Sequence, residues 1–146
     1  GKIENIKFLD IENDAIDFSG SNAKIHNCYF ENINDKIISV GERSNVNVSN
    51  IKAFNSFVGI VSKDSSKVLS KNIIFDEVKI PFAAYQKKKE YDYGSLVVKN
   101  SKINNFIIES VKDKISQITI DDKKVLLETK NVIPIIYEKK LFLLNQ

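Results

Sequence analysis

The sequence predicts an all-β protein, a right-handed parallel β-helix of about five to six coils with a C-terminal cap. Three observations carry this prediction. Ile and Val number 34 whereas Leu and Ala total 13, there are 16 Asn, and apolar runs with period-two alternation recur about every 22 residues. Because β-branched side chains lose freedom in helices and fit strands, and Asn favours turns, an all-α fold is excluded.

The repeat is marked by asparagines that lie between short alternating runs: Asn5, Asn27, Asn50, Asn72 and Asn100. Three residues after each comes a mostly aromatic column: Phe8, Phe30, Ala53, Phe75 and Ile103. A period of this length without a helical segment predicts a solenoid whose coils are short strands, and the leucine-rich frame is missing. We expect the apolar columns to form the core and the asparagines to form a structural ladder that holds turns.

The coils extend by this prediction over residues 2–110, and residues 111–146 form degenerate last coils and the C-terminal cap. A longer spacing of 28 residues before Asn100 predicts an insertion within 87–94. Pro134 favours an edge or cap position for its segment, because proline cannot donate to a sheet. Since Gly1 is followed at once by a patterned segment, we interpret the chain as a fragment of a longer protein.

Charge and composition argue against several partners and cofactors. The chain has 22 basic and 19 acidic residues, a net charge of +3, which predicts no nucleic-acid interface. No apolar run approaches the roughly 20 residues of a membrane span. His26 and Cys28 share a strand face but lack further ligands, so we expect neither a metal nor another cofactor.

Three polar segments at the ends of successive coils align with one another: DKIISVGERS at 35–44, GIVSKDSS at 59–66 and FAAYQKKKEYDYG at 82–94. These segments resemble the DK-x-x-S-x-GE-x-S, GI-x-x-KD-x-S and Y-x-KK-x-EY-x-G patterns of right-handed parallel β-helix (pectin-lyase-like) regions of bacterial surface proteins, including those that accompany spore-coat-kinase-like domains. The third segment departs from its pattern by extra residues around Lys89 and Asp92. The resemblance implies the fold and a location at the cell surface or outside the cell, and it implies no specific activity.

The alignment predicts a stacked polar ladder in these segments, made of Asp35, Lys36, Glu42, Lys63, Asp64 and Gln86. Glu42 falls over Asp64, and two adjacent acids repel unless lysines neutralise them. We interpret the ladder as a solvated surface, the alternative being a cation or sugar site.

The insertion is the best candidate for a binding surface, because tyrosines stack on sugar rings and lysines bind carboxylates. The residues assigned to acidic polysaccharide are Tyr85, Lys87, Lys88, Tyr91 and Tyr93. The alternative is a loop that covers one flank of the solenoid, with its rings packed down and its lysines in water.

Catalytic residues are not predicted. Arg43 is the only arginine, and Asp121–Asp122 is the only Asp-Asp sequence. The lyases and hydrolases of this fold need more catalytic arginine and acidic residues than these. We therefore expect a non-catalytic module of a larger surface or polysaccharide-associated protein: a rigid scaffold, a carbohydrate-contacting surface or an assembly element. The alternative is a polysaccharide lyase or glycoside hydrolase. Expected partners are acidic polysaccharide, the rest of the parent chain, and a second copy through exposed coil ends.

Overall fold

A computed structural model describes all 146 residues, Gly1–Gln146, as a β-solenoid of about five turns, which confirms the predicted fold class. The strands are β1 (Lys2–Glu4), β2 (Lys7–Ile11), β3 (Ile16–Ser19), β4 (Asn22–Ile33), β5 (Lys36–Gly41), β6 (Asn45–Lys63), β7 (Lys67–Tyr85), β8 (Ser95–Asn104), β9 (Ser110–Lys112), β10 (Gln117–Ile120) and β11 (Lys123–Lys124). A helix, α1 (Val132–Glu138), and a 3-10 helix (Leu141–Asn145) follow.

Successive coils stack as parallel strands in register, in the order β1-β4-β6-β7-β8-β10. The predicted columns lie side by side, because Phe30 pairs with Ala53, which pairs with Phe75, which pairs with Ile103. Between β7 and β8 the offset rises from 22 to 28 residues, and the extra residues fall between Tyr85 and Ser95.

Left-handed backbone residues form the corners of each coil. The five predicted asparagines all have φ between 55° and 60°. Their amides form a directional ladder, in which Asn27 donates to Asn5 (2.6 Å), Asn72 to Asn50 (2.9 Å) and Asn100 to Asn72 (2.6 Å). Side-chain amides thus supply hydrogen bonds between coils at the corners, where Asn tolerates the left-handed conformation.

A second corner column, not predicted from the sequence, lies five residues further along each coil. Its members also have positive φ: Asp10, Asn32, Asn55, Glu77 and Asn105. Asn32 donates to Asp10, and Asn55 donates to Asn32, each at 2.7 Å. The column has mixed residue types, so conformation rather than composition defines it.

The interior of the coils is a single apolar cluster. Phe8 and Phe30 stack with centroids 4.9 Å apart and planes at 6°, whereas Phe75 packs on Phe82 at 5.7 Å. Small residues leave room for the large rings, since a Cβ on Gly59 would collide with the ring of Phe75 and the carbonyl of Pro81. The core is therefore closely packed, with glycine at the one position where the Phe75 ring needs the space.

A second apolar cluster lies outside the coils, on one side face of the stack. It is built from outward residues of β6, β7 and β9, and α1 covers it with Val132, Ile135 and Ile136. These three residues have the i, i+3, i+4 spacing of a helix face, and Pro134 lies in the first turn, where proline is tolerated. No helix is predicted from the sequence at 132–138. The helix covers a side of the solenoid and not the end of the stack.

The two ends of the stack differ. At the first coil, Ile3 and Phe8 are half-buried, whereas their counterparts Ile25 and Phe30 in the second coil are fully buried. At the other end β10 pairs with β8, and β11 folds back antiparallel on β10. Neither helix has the length or hydrophobicity that a membrane crossing requires.

Candidate functional site

The side face that carries α1 changes character along the stack. Outward positions of the last coils are apolar, as in the column Val61, Ala83 and Val111, whereas the same column in the first coils holds Asp17 and Ser39. Tyr137, the one aromatic residue of α1, lies at this boundary. Three lysines from different coils surround its ring: Lys36, Lys63 and Lys87. We call Tyr137 and these lysines the Tyr137 site.

Lys36 is the buried member of the site, with a side chain 3% exposed. Its ammonium lies 3.1 Å from Asp35 and 3.5 Å from Asp14, and 4.3 Å from the centroid of Tyr137. Asp14 also accepts the backbone N–H of Lys36 at 3.0 Å. Burial raises the pKa of the Asp14 carboxyl, and the Lys36 charge partly opposes that shift. Lys36 is therefore neutralised within the protein.

Lys63 and Lys87 lack such a partner, since neither ammonium forms an ion pair. Lys63 donates to the Tyr137 hydroxyl at 3.1 Å, and the Lys87 ammonium lies 4.1 Å from the ring centroid. Burial lowers the pKa of Lys63, and the charges of Lys36 and Lys87 lower it further. An anion between Lys63 and Lys87 would relieve this repulsion.

Tyr85 anchors Tyr137 from below. It is fully buried, with its ring edge-on to Tyr137 at 6.1 Å and its hydroxyl 2.9 Å from the Tyr137 hydroxyl. Burial raises the pKa of both phenols, so both rings are neutral around pH 7. The position of Tyr137, and with it the geometry of the lysines, is thus fixed by a buried contact between the solenoid and α1.

Asp64 organises the insertion that carries Lys87. Its Oδ1 accepts the backbone N–H of Lys87 at 2.7 Å and of Lys88 at 2.9 Å. Asp64 is fully buried, and its Oδ2 has no hydrogen-bond partner. One oxygen of this carboxylate thus accepts hydrogen bonds from backbone N–H groups and not from lysine ammonium groups.

The remaining part of the insertion forms a separate cluster. Lys88 forms a short ion pair with Glu42, which also accepts from Ser19 at 2.7 Å. These contacts, that of Lys88 first, lower the pKa of Glu42. The Arg43 guanidinium lies 5.3 Å from the centroid of Tyr91. Lys88 is therefore neutralised, and the ring of Tyr91 already contacts a cation.

The structure divides the predicted site residues into groups. Lys36, Lys63, Lys87 and Tyr85 meet at the Tyr137 site, and Asp35 and Asp64 support it. Gln86 does not stack into a charge ladder: its side chain donates to the Tyr91 carbonyl at 2.5 Å, and its backbone N–H donates to Asp113 at 2.7 Å. Tyr93 is 39% exposed on another flank, beside Ser65 and Lys67.

Tyr137 and Asp14 are central residues that sequence reasoning did not identify. Tyr137 lies in a helix 52 residues from Tyr85, and no repeat pattern links the two. Asp14 carried a usable signal, because it lies 22 residues before Lys36 and the repeat therefore places the two on adjacent coils.

The site is suited to binding an anion. The ammonium groups of Lys63 and Lys87 lie 5.7 Å and 4.1 Å from the Tyr137 centroid and have no carboxylate partner. Ser39, whose hydroxyl is buried without a hydrogen-bond partner, belongs to the same side face. Ammonium groups in this arrangement bind carboxylates, sulfates or phosphates. No group of three or more His, Cys, Asp or Glu side chains is placed to hold a metal ion.

The fold and these contacts define a β-solenoid protein with a helix docked on its side. Comparison of the chain with protein-family models, with curated proteins and with solved structures gave no match.

Proposed function

We propose that this chain is a non-catalytic β-solenoid module that contacts acidic polysaccharide through the Tyr137 site. The observation that carries the proposal is the convergence of Lys63 and Lys87 on Tyr137, with neither ammonium in an ion pair. A uronate carboxylate placed between them would form two charge-assisted hydrogen bonds. The buried Tyr85–Tyr137 contact holds the groups in place, which limits the entropy cost of binding.

The module belongs, in this proposal, to a larger bacterial surface or polysaccharide-associated protein of the pectin-lyase-like kind. The polar motifs at 35–44, 59–66 and 82–94 support this context through their resemblance to such regions. The parallel stacking of about five turns supports a rigid scaffold role, because each coil is paired along its length with its neighbours.

Calorimetric titration with a galacturonate hexamer tests the binding. We expect Lys87→Gln to weaken the affinity at least about threefold, because it removes one ammonium without removing a buried group. Lys89→Gln, an exposed lysine of the same loop, is the matched control and leaves the affinity unchanged. Equal losses in both variants would show that net charge alone attracts the polymer.

A second candidate function, a polysaccharide lyase, is favoured by one observation: burial and the charges of Lys36 and Lys87 lower the pKa of Lys63. A deprotonated lysine can remove the proton next to a uronate carboxylate; the electron pair of that C–H bond then forms a C=C bond as the glycosidic C–O bond breaks, and the leaving oxygen takes a proton from water. The same hexamer distinguishes the two functions. Ultraviolet absorbance from the new double bond, lost in Lys63→Gln, would favour the lyase over the binding module.

A further inference from the structure

A groove runs along the first asparagine ladder, on a different face of the coils from the Tyr137 site. Its volume is about 470 Å³, and residues of four successive coils line it. The amides of Asn5, Asn27, Asn50 and Asn72 form its polar side. An outward column formed by Lys7, Tyr29 and Lys52, which pair in register, lines it next to the ladder, together with the exposed Ile74.

The amide ladder is interrupted in the middle of this groove. Hydrogen bonds join Asn27 to Asn5 and Asn72 to Asn50, but none joins Asn50 to Asn27, although the two corners are aligned by the flanking register pairs His26–Ser49 and Cys28–Ile51. The Oδ1 of Asn27 therefore keeps its acceptor capacity, and the Nδ2 of Asn50 keeps both donors. A sugar hydroxyl, which donates and accepts at once, matches this pair of groups.

In the outward column beside the ladder, the aromatic ring of Tyr29 lies between the lysines Lys7 and Lys52. Tyr29 is half-buried, with its hydroxyl donating to Glu31 at 2.6 Å, and Lys7 and Lys52 lie on the adjacent coils on either side of it. Neither lysine forms an ion pair. Neighbouring coils are about 4.8 Å apart, so each ammonium can reach a charged group on a sugar that covers the ring.

We infer that this groove is a second glycan-binding site, which takes a linear acidic glycan lying along the stack of coils. The Tyr29 ring stacks on one sugar, Lys7 and Lys52 bind carboxylates, and Asn27 and Asn50 bind a hydroxyl. The ligand class is that of the proposed function, whereas the site rests on its own residues. Two sites on one rigid module would bind a long polymer more tightly than either site alone.

The test is a ¹H–¹⁵N NMR titration of the full chain with a galacturonate hexamer, in which the side-chain amide signals of Asn27 and Asn50 report on the groove. We expect both signals to shift, with affinity weakened at least about threefold in Lys52→Gln. Asn50→Asp keeps the acceptor for Asn72 and removes the free donors, so it also weakens binding. Lys24→Gln, at an exposed lysine of β4 that lies outside the groove, is the control for Lys52→Gln.

The arms of the experiment separate the two sites. With Lys87→Gln the groove signals shift as in the unmodified protein, even if the proposed function at Tyr137 is wrong. Unmoved Asn27 and Asn50 signals, or an affinity equal in Lys52→Gln and Lys24→Gln, would overturn the groove site. Equal binding of a neutral xylose hexamer would overturn the acidic specificity, because no role would remain for the lysines.

Discussion

The hydroxyl groups of Tyr85 and Tyr137 lie 2.9 Å apart, although 52 residues separate them in the sequence. Tyr85 ends a strand of the solenoid, and Tyr137 belongs to the helix that covers the side face. Their contact joins α1 to the outer apolar cluster of the solenoid and holds Tyr137 among Lys36, Lys63 and Lys87. It also couples the docking of α1 to the protonation of two phenols.

Stability is expected to fall as the pH rises above about 10. The pKa of both phenols is raised in the folded protein, whereas in the unfolded chain it is near 10.0, so above that pH the unfolded state loses protons first. The contribution is present below the unfolded pKa and is lost as the pH rises through the folded values. Urea unfolding at about pH 9 and about pH 11 measures it. Tyr137→Phe should flatten this dependence, while Tyr93→Phe, at an exposed ring, should not.

Glu77 is expected to be a suboptimal corner residue. It has φ 57° in a column where Asn and Asp otherwise occupy the corner, and Asn105 donates to Asp76 instead of to position 77. Because left-handed backbone costs a residue with a long side chain about 1–2 kcal/mol, Glu77→Asn should raise the free energy of unfolding by up to about 1 kcal/mol. Glu77→Ala, which keeps the strain, should show no gain in a urea midpoint.

Asp64 is expected to be a structural residue of the insertion. Asp64→Ala removes the acceptor of two part-buried backbone N–H groups, and the cost of a fully buried unpaired donor, about 1–3 kcal/mol, is the upper bound for each. Asp64→Asn keeps an acceptor oxygen and should lose less. Thermal unfolding ranks the variants, and amide hydrogen exchange at Lys87 and Lys88 shows whether the loop opens first. Faster exchange in neither variant would contradict this role.

Two glycines are expected to respond differently to the addition of one methyl group. Gly59→Ala places a Cβ against the backbone carbonyl of Pro81, which cannot move without shifting a strand, so unfolding should become easier by about 3 kcal/mol or more. In Gly41→Ala the new methyl meets only the flexible side chain of Lys63, with its Cε at 2.9 Å. This variant should fold normally and change the affinity for the galacturonate hexamer. Similar melting temperatures for the two variants would contradict the packing described for Phe75.

The stacking of coils followed from the sequence because its signal is local and repeated. Residues equivalent to Asn27 and Phe30 recur about every 22 residues. Because the strands pair in register, these equivalent residues form columns. The second corner column was hidden, because Asp10 and Glu77 share a backbone conformation and not a residue type. Nor could composition reveal the helix, since its β-branched residues are typical of strands and tertiary packing decides their conformation.

The candidate site was only partly predictable for a related reason. Alignment of the polar segments brought Lys63 and Lys87 to neighbouring coils, which is a consequence of the repeat. Their common partner, Tyr137, lies outside the repeat, and the burial of Tyr85 depends on it. The alternation of side chains along a strand predicts which residues point outward. Whether the outward face is exposed to solvent depends on what packs on it, and the alternation does not predict that.

The constant register between β6 and β7 makes the solenoid a modular unit for protein engineering. Fifteen of the 19 residues from Asn45 to Lys63 pair with the residue 22 positions later, and no pair departs from that offset, so residues 45–66 form one complete coil. Duplicating that block should lengthen the protein by one coil, about 4.8 Å, without changing its cross-section. The length of the solenoid could therefore be set in steps of one coil, by duplicating this segment of the gene.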